Sequence, residues 1–248
     1  MIVLKSLKEI ERMRVPCTIV AEVLKRVVES VIPGITTQEL NLIAEKEVEK
    51  HKAKPAFRGY SGFPSSLCCS LNNQVVHGIP NNNPLKDGDI LSLDFGAYYD
   101  GFYGDSAVTV PVGTITNAAL NLLSVTEQSL GVAINQAFQG NKLSNISYAV
   151  QTFVESNGYS VVRDFVGHGI GRNLHEQPQI PNYGMPNKGP KLRPGMVLAI
   201  EPMVNEKSHE VKVLADGWTA VTLDGGLSAH FEHTVAIMEN GPEVLTMI

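Results

Sequence analysis

Apolar residues recur along the chain at two different spacings, and the alternation between them sets out the elements. Across residues 6–30 they fall at Ile10, Met13, Val20, Val23, Leu24, Val27 and Val28, the spacing of an amphipathic helix. Ser6 followed by Glu9 is the signature of a capping box at its start. Residues 37–51 and 143–157 predict two further helices, and residues 117–138 a fourth. Between them lie short apolar runs of strand length: residues 90–93, which end at Asp94, and residues 196–200, which end at Glu201. Asp100-Gly101 is a two-residue hairpin turn, so Asp94 should pair with Ala107 and be the diagonal neighbour of Asp105 on the same face, with Cβ atoms roughly 7 Å apart.

The pattern repeats. LKDGDILSLD at 85–94 aligns with LRPGMVLAIE at 192–201, which makes Asp94 and Glu201 equivalents. At nearly the same offset Leu40, Ala44 and Val48 fall on Ile146, Val150 and Val154, a shared apolar stripe. Gly104 to Val108 resembles Phe231 to Val235, displaced further because the second half carries a longer loop. The chain therefore reads as two α+β halves, residues 1–115 and 116–248, related by an approximate two-fold axis within one domain. Each half brings an acidic residue from each of two strands to the joint.

Composition removes several function classes. With 43% hydrophobic and 18% charged residues over 248 positions, the chain is a folded protein and not a disordered one. A net charge of -5 without any Lys/Arg cluster argues against nucleic acid as main ligand. No apolar run approaches the ~18 residues of a membrane span, and the opening residues lack a signal-peptide pattern, so the cytoplasm is the expected compartment. The three cysteines, Cys17, Cys68 and Cys69, are expected as free thiols, the adjacent pair on opposite faces of any strand that carries them.

Against that background the acids stand out. A lone strand-end aspartate usually caps a loop, but Asp94 follows a half-buried or buried strand, where an unpaired carboxylate is costly unless neutralised or metal-bound. His168 sits among three alternating glycines in FVGHGIGRNLHE (165–176), with no Gly-Lys-Ser/Thr ending or dinucleotide fingerprint to suggest phosphate. His175 in that run reads equally as a satisfied core histidine. Asp94, Asp105, His168, Glu201 and Glu232 form an oxygen-rich, one-imidazole set, which suits two divalent ions better than a structural zinc. Two such ions ~3.5–4 Å apart can bridge a water, lower its pKa and clamp a hydrolytic transition state.

HGIP at 77–80, the LDFG and DGFYGD motifs spanning 93–105, GHGIGRNLHE at 167–176, AIEPM at 199–203 and FEHT at 231–234 together resemble type I methionine aminopeptidases over nearly the whole chain. The resemblance implies the pita-bread fold: two pseudo-symmetric α+β halves around a curved, mainly antiparallel sheet with helices on its outer face. It implies release of the initiator methionine from nascent proteins with a small uncharged second residue, by a monomer that works at nascent N-termini, with the ribosome as a candidate partner. It makes Asp94, Asp105, His168, Glu201 and Glu232 ligands of two divalent ions (Co, Mn, Fe, Zn or Ni), with Asp105 and Glu232 bridging and Glu201 also shuttling protons. His77 and His175 become the contacts to the substrate amide and tetrahedral intermediate. Tyr60, Phe63, Cys68, His77, Leu174 and Trp218 become the methionine pocket. A monovalent cation (Na or K) is implied near Asn72, Gln74 and Ser228. Phe57 and Leu174 stand where some members hold a cysteine and an aromatic residue, and Gly96 where certain members hold a threonine. Proline-specific peptidases share the fold and ligand set but usually carry an added N-terminal domain, for which this chain has no length. A binding protein of this fold that had lost its chemistry would lack a ligand, and a mononuclear oxygenase would leave the four acids without a role.

Overall fold

The computed structural model describes residues 1–247 and contains the four expected helices. Helices α1 (Leu7–Val28) and α2 (Thr37–Lys50) each start on a complete capping box. Ser6 and Glu9 exchange bonds of 3.3 and 2.9 Å, and Thr36 and Glu39 bonds of 3.1 and 2.8 Å. In each box, two N–H groups that the first turn leaves without helical partners are satisfied. Helix α4 (Leu143–Ser156) matches its expected span. Helix α3 (Asn117–Ile134) stops short of the expected Phe138. The amides of Gln136 and Ala137 bond back only three residues, to Ala133 and Ile134, so the last turn tightens and the helix ends.

The helices back a nine-stranded sheet whose central ladder runs Lys54–Pro55, Ile90–Tyr99, Phe102–Pro111, Glu232–Met238, Val197–Ile200, Gly167–Gly169 and Glu176–Ile180. Strand Cys68–Leu71 also pairs with Ile90–Tyr99, and Gly241–Val244 with Glu232–Met238; every pairing is antiparallel. Period-two alternation gives the sheet two characters. Leu91, Leu93, Phe95 and Ala97 pack with Val20, Val23, Leu40 and Ala44 in a core under α1 and α2. Leu198, Ile200, Val235 and Ile237 pack with Leu122, Leu130, Ile146 and Val150 under α3 and α4. Each fully buried Val, Leu, Ile or Phe among them contributes about 1.5–3 kcal/mol. All six positions of the shared stripe, Leu40, Ala44, Val48, Ile146, Val150 and Val154, are buried. The alternate positions, including Ser92, Asp94, Asp105, Thr109 and Glu232, face the other way, into the concave side.

One local expectation needs correction. Asp94 does not end its strand but sits in the middle of Ile90–Tyr99, because the hairpin continues both strands as far as the Asp100-Gly101 turn. The register is otherwise as expected, with Asp94 opposite Ala107 and Asp105 opposite Gly96. Across the joint, strands Phe102–Pro111 and Glu232–Met238 pair at only two positions, Ala107 with Glu232 and Ser106 with His233. Side chains extend this short seam. Thr234 Oγ1 donates to the Asp105 carbonyl (2.8 Å) and accepts from its N–H (3.2 Å), Ser106 Oγ donates to the Glu232 carbonyl (2.6 Å), and Thr109 Oγ1 donates to the His230 carbonyl (2.8 Å).

Gly96 and Phe57, two departures from related sequences, turn out to be one packing arrangement. A Cβ at position 96 would stand 2.8 Å from Phe57 Cε1 and 2.9 Å from Ala56 Cβ. Gly96→Ala would ordinarily stabilise by about 0.4–1 kcal/mol through the unfolded chain, but overpacking here costs about 1–3 kcal/mol, so crowding wins. In urea unfolding the substitution should destabilise the protein, and the same substitution should cost less when made in a Phe57→Ala background, where the crowding ring is gone. Strictly additive effects of the two changes would show that the ring is not the obstacle.

Candidate metal centre

The register brings the acids together before any side chain is placed. Cys68, Asp94, Ala107 and Glu232 form one row across four strands, with only the methyl group of Ala107 between the two carboxylates. Asp105 lies diagonally from Asp94 on the same face. His168 pairs with Ala199 and Glu201 follows strand Val197–Ile200, so the second half presents an imidazole and a carboxylate to this row. Asp105, His168 and Glu232 each offer a donor atom, all within 4.8 Å of one another, and His168 Nε2 is 3.5 Å from Glu201 Oε1. The structure thus brings all five predicted residues to one point.

Three observations show that these residues fit metal ions. Asp94 Oδ1, Asp105 Oδ1 and Glu232 Oε1 are buried without any hydrogen-bond partner, an arrangement that is expensive unless a cation meets them. Burial and mutual repulsion push their pKa values up: Asp94 to about 7, Glu201 to about 8 through burial, and Asp105 and Glu232 well above the ordinary carboxylate range. His168 Nδ1 lies 2.9 Å from the Gly169 carbonyl, so it carries the proton and leaves the Nε2 lone pair toward the acids. Burial holds His168 down at about 3, neutral and able to ligate. The flanking glycines have a backbone reason: a Cβ at Gly169 would collide with the Gln177 carbonyl and one at Gly167 with the Ala199 carbonyl, which would push the strand out from between its neighbours.

A cleft of about 200 Å³ opens onto the acids. Tyr60, Phe63, Cys68, His77, Leu174 and Trp218 line it together with His175, so every predicted pocket residue is present, and Phe57 joins them. Phe63 meets Trp218 edge-on at 5.2 Å. Cys68 faces the cleft while Cys69 packs in the core under α1, the opposite-face placement expected of a strand, and both thiols are free. His77, in a left-handed backbone conformation (φ 59), sits edge-on to Phe165 at 5.4 Å and to Trp218 at 6.3 Å. Burial first, then His230 and His175, hold it down at about 4. His175 Nδ1 is 2.7 Å from the Tyr60 hydroxyl and its ring 4.3 Å from that of His168, so its second nitrogen remains for a ligand. A larger groove, about 570 Å³ between α1 and α3, holds none of these residues.

Sequence reasoning assigned no role to Thr234, which clamps the Asp105 backbone, or to Phe165, which packs on His77. It also passed over His230, buried with Nε2 unpartnered 3.7 Å from Glu201 Oε2. Thr234 lies two residues from Glu232, and that period-two spacing was the available signal. The residues expected to hold a monovalent cation lie outside the cleft. Ser228 N–H donates to the Asn72 carbonyl (2.9 Å), Asn72 Oδ1 accepts from Ile90 N–H (3.0 Å) and Gln74 Oε1 from Leu71 N–H (2.9 Å).

A model of metallopeptidase family M24 matches residues 11–239. Over 248 residues, covering all of both chains, the sequence is 56% identical to the methionine aminopeptidase of Clostridium perfringens and 54% identical to methionine aminopeptidase 1 of Bacillus subtilis. The crystal structure of methionine aminopeptidase from Thermotoga maritima superposes with a TM-score of 0.98 at 48% identity, again covering all of both chains. The prolidase of Pyrococcus furiosus shares the fold alone, with a TM-score of 0.82 at 22% identity, over 99% of this chain and 66% of that one. With the pita-bread sheet and the converging acids in place, these similarities lead to one conclusion: the chain belongs to metallopeptidase family M24, among its bacterial methionine aminopeptidases.

Proposed function

We propose that this enzyme releases the N-terminal methionine of nascent proteins whose second residue is small and uncharged, in the cytoplasm and as a single catalytic domain of two halves, residues 1–115 and 116–248. The observation that carries the reading is the convergence of five ligand-type side chains, Asp105, His168 and Glu232 buried and Asp94 and Glu201 partly so, three with orphaned oxygens, at the floor of a cleft walled by aromatic rings and a sulfur. Asp94, Asp105, His168, Glu201 and Glu232 would hold two divalent ions, with Asp105 and Glu232 between them. Bound there, such ions supply Lewis acidity and lower the pKa of water. A monovalent ion beside Asn72, Gln74 and Ser228 would be supportive, held by backbone carbonyls because the Asn72 and Gln74 side-chain oxygens already accept hydrogen bonds.

The chain's own residues then divide the work. An apolar slot with soft sulfur and aromatic walls suits a thioether side chain. Glu201, a carboxylate on the cleft floor beside His168, would take a proton from the attacking water and return it to the leaving amine. His77 and His175, both neutral, are suited to donate hydrogen bonds to the substrate carbonyl and to the oxyanion that forms from it. Tyr60 fixes the His175 ring.

Metal-loaded protein should cleave Met-Gly peptides in preference to Gly-Pro peptides. Asp105→Asn should lower kcat/KM on Met-Gly by more than about 100-fold, since disturbing even an outer partner of a ligand costs about 10–100-fold. Preference for Gly-Pro, or unchanged turnover in the variant, would overturn the reading.

The raised pKa values predict how pH acts on the metal-free protein. Above about pH 4 the unfolded chain has released the protons that folded Asp94 and Glu201 still hold, so folding binds protons and stability falls as pH rises toward about 8. Divalent ions bind the deprotonated groups, so their affinity rises over the same window. Thermal unfolding with a chelator should therefore show Tm falling with pH, and addition of manganese should raise Tm most at the alkaline end. A manganese shift that is largest at acid pH would contradict the assignment of the acids as ligands.

A further inference from the structure

His175 stands on the loop 170–176, and this loop is fastened from outside the cleft by the segment that precedes α1. Lys5 Nζ donates to Glu176 Oε2 at 2.6 Å, with side chains only 3% and 7% exposed. Glu176 directly follows His175 and opens strand Glu176–Ile180, where it pairs with Gly169. Its other oxygen, Oε1, accepts from the Asn173 N–H at 3.2 Å, so one carboxylate joins Lys5 to both sides of the residue pair Leu174-His175.

The backbone is built to admit this lysine. Lys5 N–H donates to the Gly195 carbonyl at 2.7 Å, and a Cβ at Gly195 (φ +90) would strike the Lys5 carbonyl. A Cβ at Gly171 would overlap the Lys5 stem, and the Gly171 carbonyl accepts from Tyr103 N–H at 2.8 Å. A second, exposed tie runs from Arg172 to Glu9 of α1 at 3.0 Å, with the Arg172 guanidinium 4.6 Å over the Phe102 ring. Exposed pairs of this kind contribute little. The buried pair differs in purpose as well as burial: a buried ion pair is weak evidence for stability, and its best-attested use is to fix one geometry among several. Here the geometry it bears on is that of Leu174, which is 1% exposed and walls the cleft, and of the His175 ring against Tyr60 and His168.

We propose that Lys5 is a positioning residue for the reaction: its buried ion pair with Glu176 locks the loop that carries His175, and so sets turnover without touching substrate or metal. This rests on His175 contacting the substrate, as read above. It assigns a functional duty to the segment before α1, which residue pattern alone marks only as the approach to a capping box.

Lys5→Met keeps the stem and removes the charge. In the metal-loaded protein it should lower kcat on a Met-Gly peptide about 10- to 100-fold, the scale of a misplacement of about 1 Å, with KM within about twofold. In a His175→Ala background the same change should cost less than about twofold, because residues that act through one another are not additive. Metal stoichiometry by calorimetry should not change. Glu176→Gln, which keeps the shape and the Asn173 contact, provides the same cycle if Lys5→Met folds poorly. An unchanged kcat in Lys5→Met, or equal fold-losses with and without His175, would overturn the positioning role. If His175→Ala itself left kcat intact, the substrate role of His175 would fall instead, which tells the two failures apart.

Discussion

Four carboxyl groups buried within reach of one another on the concave face of a sheet are the constraint around which the molecule is organised. Two like charges 4 Å apart at a protein surface repel by about 4 kcal/mol, and these are deeper than that. Left alone they answer by holding protons: burial first, and for Asp94 also the charge of Glu201, raise the pKa of Asp94 to about 7, and burial raises that of Glu201 to about 8. A scaffold that collects such groups must be rigid enough that they cannot swing apart into water. The antiparallel ladder does this by register: Asp94, Ala107 and Glu232 form one row across three strands, with Asp94 and Ala107 each paired to a strand on both sides.

The rest of the architecture follows from keeping that face polar and the opposite one apolar. The same strands that carry Asp94 and Glu232 inward send Leu91, Leu93, Val235 and Ile237 outward under the helices. Two helix-backed cores thus hold the acids in place from behind. The weak point is the joint between the halves, where the ladder has only two paired positions, and there Thr234, Ser106 and Thr109 bond directly to backbone groups of the facing strand. It is consistent that Thr234 grips Asp105, one of the two acids that lie between the halves. His77 and His175, by contrast, come from loops. His77 is held by aromatic edges and His175 by Tyr60 and by the Lys5–Glu176 pair, so each has a fixed ring and a nitrogen left over. Rigid strands for the acids and braced loops for these two imidazoles is a division that suits a hydrolytic site.

Much of this was legible in the residues because it depends on short-range rules. The capping box at Ser6, the turn at Asp100-Gly101 and the pairing of Asp94 with Ala107 all follow from local chemistry and a period of two. The equivalence of Asp94 and Glu201 followed from aligning the chain with itself, and the five-motif resemblance separated ligands from helpers, moving His175 out of the core reading. The misplaced features were local too: Asp94 as a strand end, because the apolar run stops there while the hairpin does not, and α3 as four residues longer, because apolar spacing continues after the helical hydrogen bonds have changed partner.

By itself, then, the sequence determined the elements, the internal repeat, the set of acids and the family to which they point, since each is encoded in spacing a few residues apart or in motifs that survive intact. Only the tertiary structure decided which groups meet from distant stretches: Thr234 with Asp105, His230 with Glu201, Phe57 over Gly96, and Lys5 with Glu176 across 171 positions. No periodicity relates such pairs. They depend on how two sheet halves and a leading segment close in space, and contacts of that kind become visible only when the chain has folded.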